Sequence, residues 1–312
     1  MQLVRGLGNL KPDDRGSAVA IGNFDGVHLG HQALVRAVHE RAAASACRSV
    51  VLTFDPHPRE YLDPAGAPPR LMRLSEKGPA LASLGIERLV IVRFNERLRQ
   101  QSPAEFIRHV LVEGLHARHV VVGDGFRFGQ QRGGTVATLR AAGAQFGFEV
   151  VTVPSVDLDG ERVSSTRVRT ALGAGDLGSA ARLLSRPYAV SGRVIAGARL
   201  GRQLGYPTAN IRLHRSKLPL AGIFAVRVHG VNGGEVLDGV ASLGTRPTVH
   251  GVEPLLETHI FDFSGDLYGR RLSVEFVAKL RDEQRFESLA ALTAQMHRDA
   301  ARAREILAAC PA

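Results

Sequence analysis

From residue 17 to about residue 185 the chain alternates short apolar runs with stretches of helical periodicity. The runs at 18–24, 49–54, 88–94, 119–123 and 149–154 have strand length, and the segments 31–44, 103–113 and 136–146 between them read as helices. Alternation of this kind predicts right-handed crossovers and a parallel, doubly wound sheet. In such a sheet ligands bind beyond the carboxyl ends of the strands, so the loops after the apolar runs are where chemistry is to be sought.

After about residue 186 the pattern changes. Strand-like runs at 188–196, 223–229, 236–242, 255–263 and 272–280 are separated by Gly, Pro and Asn, with no helical segment among them. That predicts an antiparallel sheet or small barrel. The tail, 288–307, is helical, with Leu289, Leu292, Met296, Ala300, Ala303 and Leu307 near one face, a stripe suited to packing against the barrel. A chain of 312 residues is comfortable for two domains, and Pro187 interrupts the helical run where they should meet, giving 1–185 and 186–312.

Composition narrows the partners. Hydrophobic residues make up 44% and charged residues 22%, enough apolar surface for folded cores. Forty Lys+Arg against thirty Asp+Glu give a formal charge of +10, a field that attracts anions. Basic residues are spread along the chain, aromatic residues are 5% and Trp is absent, so stacking platforms for single-stranded nucleic acid are scarce. Phosphorylated small molecules fit better than nucleic acid. Cys47 and Cys310 form no metal knuckle or redox pair, which points to a reducing compartment. Residues 1–16 lack the apolar core of a secretory signal, and no run approaches the roughly 20 apolar residues of a membrane span. A cytoplasmic protein without membrane or nucleic-acid partner is the expectation. Oligomeric state is not legible.

The first run leads into Asp25-Gly26-Val27-His28-Leu29-Gly30-His31 and then a helix. Two imidazoles beside a helix's first turn, with its outward N–H groups and positive dipole end, suit phosphate. Gly26 and Gly30 let backbone approach a ligand. As an isolated pair these would be ordinary loop histidines; their place between strand and helix reverses the odds. The segment resembles the His-x-Gly-His motif of the nucleotidyltransferase superfamily, and Gly22-Asn23-Phe24-Asp25-Gly26-Val27-His28 is similar to the amino-terminal module of bacterial bifunctional riboflavin kinase/FAD synthetases. Thr53-Phe54-Asp55-Pro56-His57-Pro58, Phe126-Arg127-Phe128-Gly129 and Ser164-Ser165-Thr166-Arg167-Val168-Arg169 come after it in the same order.

The resemblance implies that His28 and His31 stabilise adenylyl transfer, that Gly22, Phe24, Asp25, Gly26, Gly30, Ser164, Ser165, Thr166 and Arg167 form the ATP site, and that Asp55, His57, Asp124 and Phe126 contact flavin. Hydroxyls and Arg167 suit triphosphate oxygens, and Ser165 or Thr166 can also cap the adjoining helix. The family usually has Asn or Asp immediately before the Phe of Phe126-Arg127-Phe128-Gly129; here that position is Gly125, with Asp124 one residue earlier. Asp124 is expected to substitute through a small backbone shift.

No Gly-x-x-x-x-Gly-Lys-[Ser/Thr] segment occurs, so a kinase here is not of the P-loop kind. Instead, a Gly- and Arg-bearing loop, 192–205, ends in Tyr206-Pro207-Thr208-Ala209-Asn210. In an extended strand Thr208 and Asn210 share a face, and two neutral oxygens suit a Mg²⁺ that keeps waters and bridges phosphates. A turn leading into an edge strand is an equal reading from spacing alone. Pro207-Thr208-Ala209-Asn210 is characteristic of riboflavin kinases. The resemblance continues through residues 239–248, 256–263, 267–269 and 280–283, with Phe286. It implies Glu257 as the base toward the ribityl hydroxyl, Gly197, Thr208 and Asn210 at ATP, Thr208 and Asn210 as Mg²⁺ ligands, and Arg281 at flavin.

The expected fold is thus α/β plus β: a doubly wound parallel-sheet nucleotidyltransferase domain, then an antiparallel β-barrel riboflavin kinase domain with a terminal helix. The expected chemistry is phosphorylation of riboflavin to FMN and adenylylation of FMN to FAD, both from ATP. A monofunctional riboflavin kinase, or a non-catalytic flavin- or nucleic-acid-binding regulator, are the alternatives.

Overall fold

A computed structural model describes residues 1–14, 16–197, 201, 204–231, 233–248 and 251–310. The chain forms two compact units, Met1–Pro68 with Met72–Ser164, and Pro69–Leu71 with Ser165–Ala312.

The first unit holds β1 (Gln2–Arg5), β2 (Ala18–Ile21), β3 (Ser49–Asp55), β4 (Arg88–Arg93), β5 (His119–Gly123) and β6 (Glu149–Val153). They form one parallel sheet in the order β1-β4-β3-β2-β5-β6. Alternate residues feed separate cores: Val50 and Leu52 join one apolar cluster with Val19 and Ile21, while Val51 joins another with Ala18 and Ala20. Both faces are therefore covered, as the continuous apolar runs require. The order reverses between β2 and β5, so the loops after these two strands flank the switch point where such sheets bind ligands.

β2 stops at Ile21 rather than running to Phe24, because Phe24 (φ 48°) and Val27 (φ 46°) are left-handed and turn the chain. The helix expected at 103–113 begins as Pro103–Phe106, with a Ser102–Glu105 capping box, and widens to π-type winding over Ile107–Gly114. Ile107, Val110 and Leu111 all remain in one core. The edge strand β1 carries only Val4 as a buried side chain, too little to register as a pattern. A short hairpin, β7 (Asp157–Leu158) with β8 (Glu161–Arg162), was equally silent.

The second unit opens with helices Ser165–Gly173 and Leu177–Leu184, the latter capped by Asp176, which accepts from Ser179 N at 2.9 Å. Strands β9 (Ala189–Ile195), β10 (Ala209–Arg212), β11 (Gly222–His229), β12 (Val236–Thr248), β13 (Gly251–Ile260) and β14 (Arg271–Arg281) form a closed barrel in the order β10-β13-β12-β11-β14-β9. Every neighbouring pair is antiparallel. Within the 192–205 loop, residues 198–200, 202 and 203 lie outside the described residues.

The helix Leu289–Ala309 is capped by Ser288, which accepts from Ala291 N at 3.2 Å. Its apolar stripe divides. Ala300, Ala303 and Leu307 are buried against Ala225 and Phe261, whereas Leu292 and Met296 line an open cavity and Leu289 is 59% exposed.

Candidate active sites

In the first unit, the loop after β2 is tightly held. Asp25 is 3% exposed and its Oδ1 accepts from Met72 N at 3.0 Å. A Cβ on Gly22 would approach the Phe24 ring at 3.2 Å, and one on Gly30 would lie 3.2 Å from His28 Cε1. Those glycines make room for the two rings. His28 supplies the backbone cap of the helix Leu29–Ala44 with extended φ/ψ, and Gln32 anchors the turn by donating to Val27 O at 3.1 Å. The His28 and His31 rings stack with centroids 3.7 Å apart, and Phe24 lies 5.0 Å from His31. The structure thus brings Gly22, Phe24, Asp25, Gly26, His28, Gly30 and His31 into one loop and helix start, at the carboxyl end of a central strand.

The neighbouring loops carry the other expected residues. Asp55 ends β3, and His57 caps the helix Pro58–Leu62 by accepting from Arg59 N on Nδ1 at 3.1 Å. After β5, Asp124 accepts from Gly125 N at 2.7 Å, from Ser155 N at 3.1 Å and from Ser155 Oγ at 2.9 Å. The Ser155 hydroxyl, with the Ser155 and Gly125 amides and the Arg162 guanidinium, holds the Asp124 carboxyl below its ordinary range. Phe126 stacks on Phe128 at 5.6 Å and packs against the core. Ser164 closes the first unit, whereas Ser165, Thr166 and Arg167 open the helix Ser165–Gly173 of the second.

In the second unit a cavity of about 600 Å³ opens beside the barrel wall. Strand register explains its polar lining. Asn210 on β10 faces Glu257 on β13, Glu257 faces Ser242 on β12, and Ser242 faces Ile223 on β11. Directly opposed residues share a face, and all four line the cavity, as does Thr208. Asn210 is 6% exposed and packs so closely on Gly197 that a Cβ there would lie 2.3 Å from its Nδ2. The approach to Thr208 is clamped on two sides: His259 Nδ1 donates to Pro207 O at 2.9 Å, and the Tyr206 hydroxyl meets His297 Nδ1 of the terminal helix at 2.5 Å. Burial pushes the Tyr206 phenol above its ordinary value.

Arg281 also lines the cavity, but its guanidinium is already engaged. Nε donates to both Asp299 oxygens at 3.0 Å, Nη2 donates to Oδ2 at 2.8 Å, and the group lies 5.6 Å from the Phe286 ring centroid. Another lining carboxylate, Glu283, sits against Gly244, with Ser242 Oγ 3.5 Å away. Asp299 and His297 escaped sequence reading, and Tyr206 and Ser242 were read only as parts of longer segments, without a role of their own. Asp299 and His297 are single polar residues in a segment whose pattern speaks only of helix. Thr208 and Asn210 offer two neutral oxygens on one side of the cavity, beside a carboxylate, a donor set that fits Mg²⁺ completed by water and phosphate oxygens.

Among the described residues no helix is long and apolar enough to cross a membrane. The family model described as FAD synthetase matches residues 10–167, and that described as riboflavin kinase matches 184–307. The chain is 49% identical to a bifunctional riboflavin kinase/FMN adenylyltransferase of Pseudomonas fluorescens, covering 99% of this chain and 98% of the relative. Identity to the proteins of that name from Haemophilus influenzae and Escherichia coli is 44%, over 96% and 98% of this chain and 97% of each relative. A solved structure from Streptococcus pneumoniae, described as a macrolide-efflux protein, superposes with TM-score 0.79 at 30% identity over 96% of both chains. Two matched domains in tandem and similarity along nearly the full length settle the relationship: this chain belongs to the family of bifunctional riboflavin kinase/FMN adenylyltransferases.

Proposed function

We propose that the chain makes FMN from riboflavin and ATP and then FAD from FMN and ATP, with residues 186–312 performing the first reaction and 1–185 the second. The observation that carries this reading is the convergence of Thr208, Asn210 and Glu257 on one cavity of the barrel unit, alongside the stacked His28–His31 pair at the switch point of the parallel sheet.

In phosphorylation, Glu257 accepts the proton of riboflavin's terminal ribityl hydroxyl as that oxygen bonds to the γ-phosphorus and the bond to the departing ADP breaks. Asn210, fixed between Gly197 and Glu257, and Thr208, fixed by the Tyr206–Pro207 clamp, would hold Mg²⁺ with the nucleotide. When bound, Mg²⁺ neutralises phosphate charge. Arg281, held rigid by Asp299, presents its side to the flavin.

In adenylylation, an FMN phosphate oxygen attacks the α-phosphorus of ATP and pyrophosphate leaves. FMN phosphate is already an anion, so no base is needed; His28 and His31 donate hydrogen bonds as charge builds on the transferring group and pyrophosphate. Ser164, Ser165, Thr166 and Arg167 receive triphosphate oxygens. Asp55, His57, Asp124 and Phe126 contact the flavin, with Asp124 taking the part usually played by the residue at position 125.

Incubation with riboflavin, ATP and Mg²⁺ tests the reading by separating flavins over time. FMN should appear first and FAD after it, and both should cease when Mg²⁺ is chelated. FMN accumulating without FAD would overturn the adenylylation half and leave a kinase.

A further inference from the structure

Lys77 lies on the helix Leu74–Ser83 yet is only 6% exposed. Its Nζ donates to Asn23 O at 2.6 Å and lies 3.3 Å from Thr53 Oγ1, itself fully buried. Thr53 Oγ1 donates to the same Asn23 carbonyl at 3.2 Å. Burying an ammonium is costly, and a neutral side chain would pack that helix face without the cost. Among its contacts the ammonium makes a charge-assisted hydrogen bond to one particular carbonyl.

That carbonyl matters because its peptide leads directly into Phe24. The orientation of the Asn23–Phe24 peptide sets ψ of Asn23 and φ of Phe24. Phe24 stands at φ 48°, a conformation that a bulky side chain adopts only when its surroundings enforce it. The Phe24 ring is fully buried 5.0 Å from His31, and His31 stacks on His28 at 3.7 Å. The far side of the same turn is tied to the same stretch of chain, through Met72 N and Asp25 Oδ1 at 3.0 Å. Residues 72–77 thus hold the turn at two points, Asn23 and Asp25.

We propose that Lys77 is a positioning residue for adenylyl transfer: it pins the Asn23–Phe24 peptide and so holds the stacked His28–His31 pair in register with the reacting phosphates. Lys77 touches no substrate. The proposal rests on the assignment of His28 and His31 to FAD formation.

The test is Lys77→Met in the full chain. Imidazole displacement of a fraction of an ångström weakens transition-state contacts more than ground-state ones, so kcat for FMN adenylylation should fall by about tenfold or more while KM for ATP and FMN moves less than about threefold. Riboflavin phosphorylation by the same chain should be unchanged. The ¹⁵N imidazole signals of His28 and His31, assigned by single substitution, should shift. A folded variant with wild-type kcat and unmoved imidazole signals would overturn the proposal, as would a loss confined to KM with unmoved signals. If Lys77→Met unfolds the first unit, Lys77→Gln decides, since it removes the ammonium while keeping a polar head; a folded Lys77→Gln chain with wild-type kcat and unmoved imidazole signals overturns the proposal. If the parent chain makes no FAD, the functional reading has failed, and the imidazole signals alone still decide whether Lys77 sets the pair.

Discussion

Gly197→Ala is the substitution whose consequence the geometry specifies most closely. The new methyl would lie 2.3 Å from Asn210 Nδ2 and 2.4 Å from its Cγ, far inside van der Waals contact. Asn210 cannot retreat into the wall, because it is 6% exposed and its register neighbours are Ile195 on β9 and Glu257 on β13. Its amide must rotate toward the cavity, away from the position proposed for Mg²⁺ and ATP. Overpacking of this kind costs about 1–3 kcal/mol. If about 2 kcal/mol of that is lost from the phosphoryl-transfer transition state, kcat/KM for riboflavin falls about thirtyfold, since about 1.4 kcal/mol is one decade. The assay is initial-rate FMN formation under saturating ATP and Mg²⁺, with FMN-to-FAD conversion by the same preparation as internal control. A double-mutant cycle on stability with Asn210→Ala sharpens it: the methyl should cost much less when the amide it strikes is gone. A Gly197→Ala chain with FMN formation within twofold of wild type, or an undiminished stability cost in the Asn210→Ala background, would refute this account of the pair.

Other substitutions separate the two chemistries. His28→Ala should lower FAD formation from supplied FMN by about 10²–10³ while riboflavin phosphorylation persists, which an FMN-fed assay reads directly. Glu257→Gln should do the reverse, lowering FMN formation by about 10²–10⁴ and leaving adenylylation intact. Ser155→Ala removes the hydroxyl that chiefly depresses Asp124, so the Asp124 titration, monitored by ¹³C NMR, should move up toward the ordinary carboxylate value. Because the folded-state pKa is lowered, the carboxylate's stabilising contribution is present above its unfolded value and lost as pH falls through the folded one; in Ser155→Ala that loss should begin at a higher pH. An unmoved titration would show that Ser155 is not the cause.

Much of this was legible in residue order. The runs at 49–54 and 119–123 are β3 and β5 almost residue for residue, because strands buried on both faces leave a continuous apolar trace. A shared face for Thr208 and Asn210 was one of two equal readings of their spacing, whereas His28 and His31 could be placed at a helix start from the pattern. The side chains that hold them there could not. Nothing in the sequence pattern singles out Lys77, which the fold brings within 2.6 Å of Asn23 O. Arg281 was expected to face flavin; its bidentate engagement depends on Asp299, which sits on the terminal helix and carries no local signal. Asp124 was expected at the flavin, and nothing in its local pattern shows that Ser155, 31 residues on, also donates to its carboxylate. Local pattern reports which face is buried. It does not report which distant polar group will satisfy another.

The closed barrel has a consequence for biosynthesis. Its closing strand, β9, is the first of the six to leave the ribosome, yet one of its two partners is β14, the last. Until Arg271–Arg281 has been made, β9 presents a bare row of backbone donors and acceptors on one side, and the cavity that holds Thr208, Asn210 and Glu257 has no wall from β14. The parallel sheet is complete once Val153 is synthesised and can fold while translation continues. A chain truncated before Arg271 would therefore keep a nucleotide-transferring sheet beside an open, pairing-prone ribbon, so the risk of aggregation during synthesis is concentrated in the kinase half.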